Sequence, residues 1–285
     1  MVFLSCLPAL AASALVCGSA TEVLGRESGA VQGVVADVKI GRLEELVDNP
    51  QADRELADLL LVTYNERRRA EGIRNPPEQL AVTARITKAL AGFSERHPKT
   101  KAALLAKYLI GEIVSQGLFG HSRDLCRACF QDLVVNYPKT KEATLAQLTL
   151  MRLSVEAMEV ELGGRNGEDG TLREKLRQSG LRLREALKVA LPVAEQVDRD
   201  PSPLMVAFRR AALLTPAPQF VAGFKLDIAV FSERLGERDV ARKLYEEITH
   251  DYPRTAYAQS AKNRLQSMKI EDELEKQGEH VIEVW

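Results

Sequence analysis

At 285 residues the chain is long enough for a sizeable core, either as one extended array or as two lobes. Hydrophobic residues make up 45%, charged residues 28% and aromatics 5%, a balance that suits helices packed through small and aliphatic side chains and excludes a disordered or fibrous chain. The formal net charge of −1 gives no global basis for nucleic acid or an anionic membrane surface as the principal partner.

The first twenty residues, MVFLSCLPALAASALVCGSA, contain no Asp, Glu, Lys or Arg. An apolar run this short, ending in small residues, reads as a secretory signal rather than a membrane span, with Gly18 and Ala20 placed for cleavage before Thr21. Its n-region carries only the α-amino group where basic residues are usual. Cys17 follows the apolar run as the lipid-modified cysteine of a bacterial lipoprotein does. Gly18 and Ser19 suit that reading and Val16 does not, so Cys17 is a candidate lipidation site or else one more small residue of a discarded peptide.

Residues 21–39 have weak periodicity and read as a flexible lead-in. Leu43, Leu46 and Val47 predict a short amphipathic turn that stops at Asn49-Pro50. Leu56, Leu59, Leu60 and Thr63 then repeat at helical spacing, up to a break at Asn75-Pro76-Pro77, and a helix is expected from Glu78 to about Arg96. The clearest hairpin follows. Lys101–Gly117 carries Leu105, Leu109 and Ile113 on one stripe, Gly117 and Gly120 bracket a turn, and Ser122 is placed to cap a second helix ending at Tyr137. Residues 163–170 contain four glycines and read as a loop. A long helix from Thr171 to about Val197 is expected to bury Leu172, Leu176, Leu183, Leu187 and Leu191, with a kink at Pro192. Asp200-Pro201-Ser202-Pro203 stands where another repeat-ending proline belongs, and Thr215-Pro216-Ala217-Pro218 separates a last lobe. There Leu226–Leu235 and Asp239–Asp251 form a hairpin turning at Gly236, before a closing helix and a charged tail.

Internal repetition organises these elements. Adding 115 to Cys126, Phe130, Leu133 and Pro138 gives Ala241, Tyr245, Ile248 and Pro253, and the match continues from Thr140, Ala143, Ala146 and Leu150 to Thr255, Ala258, Ala261 and Leu265. A fainter copy 40 residues upstream contains Phe93, Pro98, Thr100, Ala103 and Ala106. In each copy proline forbids continuation of one helix, and the threonine two places later offers its hydroxyl to the N–H groups of the next. Repetition on this scale means stacked helical hairpins, whose usual role is to bind proteins.

These hairpins resemble tetratricopeptide repeats. In that family a small residue on helix A meets a small residue on helix B, and a large aromatic, an apolar residue and a proline complete the pattern. Here Val114, Cys126, Phe130, Leu133 and Pro138 fill those places in the middle unit, and Ala229, Ala241, Tyr245, Ile248 and Pro253 fill them in the last. The Trp-like place holds Ile110 and Lys225, and the Tyr-like place holds Gly117 and Ser232, so the repeats are degenerate. The resemblance implies an all-α fold, a TPR-like helical-hairpin solenoid, whose helix A residues line a groove for protein or peptide ligands. The Tyr-Pro-x-Ser/Thr-x-x-Ala-x-x-Ala ending is also similar to that of exported bacterial envelope repeat proteins, such as the outer-membrane assembly lipoprotein of the BamD type and the Tol-Pal coordinator protein. That likeness implies a periplasmic or outer-membrane-associated scaffold, touching the membrane only through a lipid at Cys17. The domain layout expected is a signal (1–20), a lead-in (21–39), a repeat region (40–162), a Gly-rich loop (163–170), a second repeat region (171–270) and a charged tail (271–285).

Chemistry is sparsely represented. Cys126-Arg-Ala-Cys129 admits core packing, a structural disulfide or thiol-dependent redox work. A redox CxxC opens a helix after a strand, whereas this one falls inside a helix, with Cys126 in the small-residue slot of the repeat. The four histidines, His97, His121, His250 and His280, have no metal-ligand spacing, and His97 and His250 read as residues at helix ends. No P-loop, GxSxG or GxGxxG occurs, so the chain nominates no nucleophile, base, cofactor or metal and is read as non-enzymatic. Arg173, Arg177, Arg184 and Lys188 recur on one face of the long helix and form a candidate docking face for an acidic partner, the bland alternative being a solvated stripe. A cytoplasmic repeat adaptor is the remaining reading, if residues 1–20 are retained.

Overall fold

A computed structural model of the chain describes residues 40–71, 76–115, 123–164, 170–213 and 219–276. The segment expected to be an export signal, with Cys17, the Gly117–Ser122 turn and its expected cap, the centre of the Gly-rich segment, the Thr215–Pro218 separator and the end of the tail lie outside the described residues. The described residues are all-α: ten helices and no strand. In chain order these are α1 (Pro50–Glu71), α2 (Pro76–Arg96), α3 (Lys101–Ser115), α4 (Arg123–Asn136), α5 (Lys141–Gly164), α6 (Gly170–Arg199), α7 (Pro203–Leu213), α8 (Phe220–Arg234), α9 (Arg238–Asp251) and α10 (Ala256–Lys276).

Three prolines expected to end elements instead begin them or fall close to their start. Pro50 is the first residue of α1, where the Asn49 Oδ1 accepts from the Gln51 and Ala52 N–H groups at 3.0 and 3.2 Å. Pro76 opens α2, and Pro203 opens α7 behind a Ser202 hydroxyl that accepts from Met205 N–H at 3.3 Å. The first helical residue has no intrahelical use for its N–H, and the fixed φ of proline suits it. Gly163, Gly164 and Gly170 likewise belong to helices, at the end of α5 and the start of α6, and α6 continues through Pro192.

The described residues form two compact units that interleave along the sequence. One gathers residues 40–150 with 196–213, and the other gathers 151–195 with 219–276. In the first unit α3 is the centre, packed against α1, α2, α4 and α7. Every residue from Ala102 to Val114 is buried, Lys107 and Glu112 included. The two charges are tolerated because Lys107 pairs with Asp132 and Glu112 accepts from the Tyr108 hydroxyl at 3.3 Å. Phe93, Phe130 and Phe208 complete this core, with the Tyr108 ring 5.7 Å from Phe130 and 5.9 Å from Phe208. In the second unit α9 packs against both α8 and α10. Leu226, Ala229, Ala241, Tyr245, Ile248, Ala258, Ala261 and Met268 meet there in one cluster.

Candidate functional site

The repeat-packing residues of the two hairpins occupy matching surroundings through different contacts. In the middle hairpin Val114, Cys126, Phe130 and Leu133 are all buried. The Phe130 ring lies directly over Gly111, so close that a Cβ there would stand 2.7 Å from Cε1. In the last hairpin Ala229 and Ala241 keep the helices close, and Tyr245 uses its hydroxyl to donate to Glu233 at 2.9 Å. Pro138 and Pro253 are exposed in the turns.

Those turns are built alike. His97, Tyr137 and Tyr252 each donate their N–H back to the helix they end, to Phe93, Leu133 and Ile248. Each of Thr100, Thr140 and Thr255 donates its hydroxyl to the carbonyl three residues earlier, at 2.9, 2.8 and 2.9 Å. Each hydroxyl also accepts from the N–H three residues later, at 3.2, 3.1 and 3.1 Å, which caps α3, α5 and α10. One difference separates them: Lys139 has φ +70, whereas no other described non-glycine residue has positive φ.

The residues before α1 are seated on the first of these turns. Gly41 N–H donates to Pro98 O at 2.6 Å, Val47 N–H donates to Lys99 O at 2.9 Å, and Val47 O accepts from Lys101 N–H at 3.1 Å, a one-residue parallel bridge. Glu45 pairs with Lys99 at 3.5 Å and Asp48 with Lys101 at 2.9 Å. The Tyr137 hydroxyl reaches the carbonyls of Ile40 and Gly41, both at 3.1 Å. The expected amphipathic turn is a 3-10 turn, Leu43–Glu45, that buries none of its residues; Leu43 and Val47 are exposed, and backbone bonds hold the segment instead. Sequence reasoning missed this seat. Its one local trace is Gly41, where a Cβ would lie 3.2 Å from both Pro98 O and the Lys99 side chain.

In the second unit an ion network ties α10 to α8 and α9. Arg264 spans Glu233 and Glu271, Arg238 reaches Glu271, Asp272 and Glu275, and Arg242 reaches Asp272. Burial pushes the Glu233 carboxyl up, but its hydrogen bonds from Arg264 and Tyr245 outweigh that and hold it below the usual carboxylate range. Burial together with the Glu233 charge drives the Tyr245 phenol upward. In the same unit burial pushes the Asp227 carboxyl up to about 6, with Arg152 and Arg234 opposing and Glu156 reinforcing.

The four residues of the basic stripe do not form one surface. Arg173, Arg177 and Lys188 are exposed, but Arg184 is buried, with Glu237 at 2.6 Å and Glu185 at 2.9 Å. Lys188 is shared with Glu185 at 3.0 Å and Arg177 pairs with Glu174 at 3.0 Å. Arg184 therefore anchors α6 to the start of α9 and is withdrawn from any docking face. Cys126 and Cys129 are buried and joined by no disulfide, and burial pushes the Cys129 thiol up to about 12. His97 is held by Glu55 at 2.8 Å and His250 by Asp251 at 2.8 Å.

A helix A groove on the middle hairpin is not open, because α3 is covered along its length. Among the described residues no group of three or more His, Cys, Asp or Glu is placed to hold a metal ion, and no helix is long and apolar enough to cross a membrane. Comparison with protein families, curated proteins and solved structures found no match to this chain.

Proposed function

We propose that the chain is a non-enzymatic scaffold of degenerate TPR-like repeats that holds other proteins, exported to the bacterial periplasm or outer membrane and anchored, if at all, through Cys17. The observation that carries the repeat reading is the threefold stop–start turn: the same proline, the same threonine cap and the same two hydroxyl bonds at each site. Small-residue packing at Ala229 and Ala241 beside Tyr245 supports it as well. Helix A of the middle hairpin is used up in the core, so partners meet the outward helix faces and the turns rather than a groove along α3.

Cross-linked affinity purification from fractionated cells, with a Cys17→Ser variant beside the wild type, tests the proposal. The scaffold reading expects stable co-purifying proteins in the envelope fraction. Recovery of the chain alone from the cytosol would overturn it. Loss of membrane association in the variant would establish the anchor, and unchanged fractionation would remove it.

A further inference from the structure

The first repeat turn shows what its backbone groups accept: a short segment of the chain itself, in which Gly41 and Val47 flank a 3-10 turn and bond at the two carbonyls after His97 and at the first N–H of α3. The last turn offers the same set. Among the described residues the Pro253 and Arg254 carbonyls and the Ala256 N–H have no partner, and all three residues are exposed. The backbone class matches too, since Arg254, like Lys99, has no positive φ, whereas Lys139 in the middle turn does. Charge follows the same register. In the first turn Lys99 pairs with Glu45, two residues before the bridging Val47. Its counterpart Arg254 is exposed and makes no ion pair among the described residues. The Lys101 counterpart is Ala256, so the charge contact to Asp48 has no equivalent there.

We propose that the Tyr252–Thr255 turn docks a short acidic segment of a partner protein, seated on it as residues 41–48 are seated on the His97–Thr100 turn. This rests on the scaffold reading and names the chemistry of one partner. The segment bonds through its backbone at two residues six apart, the second of them bridging in parallel, and carries Asp or Glu two positions before that second residue, facing Arg254. An acidic residue directly after the bridge is not selected, because Ala256 has no charge to meet it. The occupant is a partner because residues 41–48 are already bonded at the first turn, while the exposed Arg254 makes no ion pair among the described residues and offers its charge to an acidic segment.

The test uses the full chain and a fluorescein-labelled peptide of the chain's own residues 41–48, GRLEELVD, followed by fluorescence anisotropy. Ala256 is the first residue of α10, where proline fits a helix, so Ala256→Pro removes the donor while leaving the helix intact. Saturable binding is expected, weakened about three- to tenfold by Ala256→Pro, the loss of one backbone hydrogen bond. Arg254→Glu should weaken it similarly, and a peptide with Glu45→Lys should recover binding to that variant. No saturable binding, or binding indifferent to Ala256→Pro with an unchanged circular dichroism spectrum, would overturn the proposal. Concentration-dependent self-association abolished by Ala256→Pro would also overturn it, since a second copy would then be the occupant. If affinity purification still recovers partners while the peptide fails, the turn is wrong and the scaffold stands; if nothing is recovered at all, the scaffold reading fails first.

Discussion

Replacing Gly111 with alanine places a methyl group where the Phe130 ring already sits. The added Cβ would lie 2.7 Å from Cε1, 2.9 Å from Cζ and 3.2 Å from Cδ1, against an ordinary carbon–carbon contact of about 3.5–4.0 Å. The ring must therefore withdraw by roughly 0.8 Å to reach the near edge of that range. It has little room: Phe130 is fully buried and Tyr108 packs 5.7 Å from its centre. Overpacking of this kind costs about 1–3 kcal/mol. Alanine also gains about 1 kcal/mol over glycine inside a helix, so Gly111→Ala nets about 0–2 kcal/mol of destabilisation. Gly92, inside α2, isolates the propensity gain, because its added Cβ meets only the flexible end of Arg96 at 3.7 Å. Gly92→Ala is expected to stabilise by up to about 1 kcal/mol.

The difference between the two variants is thus the strain alone, about 1–3 kcal/mol, read from urea midpoints at constant slope by far-ultraviolet circular dichroism. Shortening the ring as Phe130→Leu in the Gly111→Ala background should recover part of that strain, giving a coupling of at least about 0.5 kcal/mol in the double-mutant cycle. Gly111→Ala as stable as Gly92→Ala, or strict additivity with Phe130→Leu, would refute the close approach and with it the role given to the aromatic of the middle repeat.

Other outcomes follow from the same contacts. Neither Cys126 nor Cys129 should react with a maleimide at pH 8 in the native chain, and labelling should track unfolding; rapid native modification would revive the redox alternative. Asp227 holds its proton more tightly folded than unfolded, so ionising it costs stability as pH rises from the ordinary 3.8 through about 6, and the full cost stands above that. Asp227→Asn should therefore stabilise the chain at pH 7.5 by up to about 3 kcal/mol and lose its advantage near pH 3.5; an equal advantage at both would refute the shift. Thr100→Ala and Thr255→Ala should each lower stability by about 0.5–2 kcal/mol, and a neutral result at both would break the equivalence of the turns.

What was legible in the sequence was what local chemistry dictates. The Pro-x-Thr turns are complete within a few residues: the proline withdraws an N–H, the threonine supplies an acceptor, and both effects act on immediate neighbours. Even so, proline marks a boundary without saying on which side the helix lies, and so Pro50 and Pro76 opened helices at places expected to be breaks. Burial was legible only where one stripe faces one neighbour. The α3 helix lies among four others, and the burial of its Lys107 depends on Asp132 of α4, a partner that no local pattern within α3 announces. Arg184 fails as a docking residue for the same reason: its place on the stripe is set by helical period, but its burial by Glu237, on a distant turn. The seat of residues 41–47 was the least legible, since it is held by N–H and carbonyl groups that every residue carries. A side-chain pattern cannot encode that kind of contact except by exclusion, and Gly41 is the excluded side chain: a Cβ there would press on Pro98 and Lys99. The same physics separates the three turns from one another. Their sequences all read as stop signals, but Lys139 holds a left-handed φ of +70, a conformation that neither Lys99 nor Arg254 adopts.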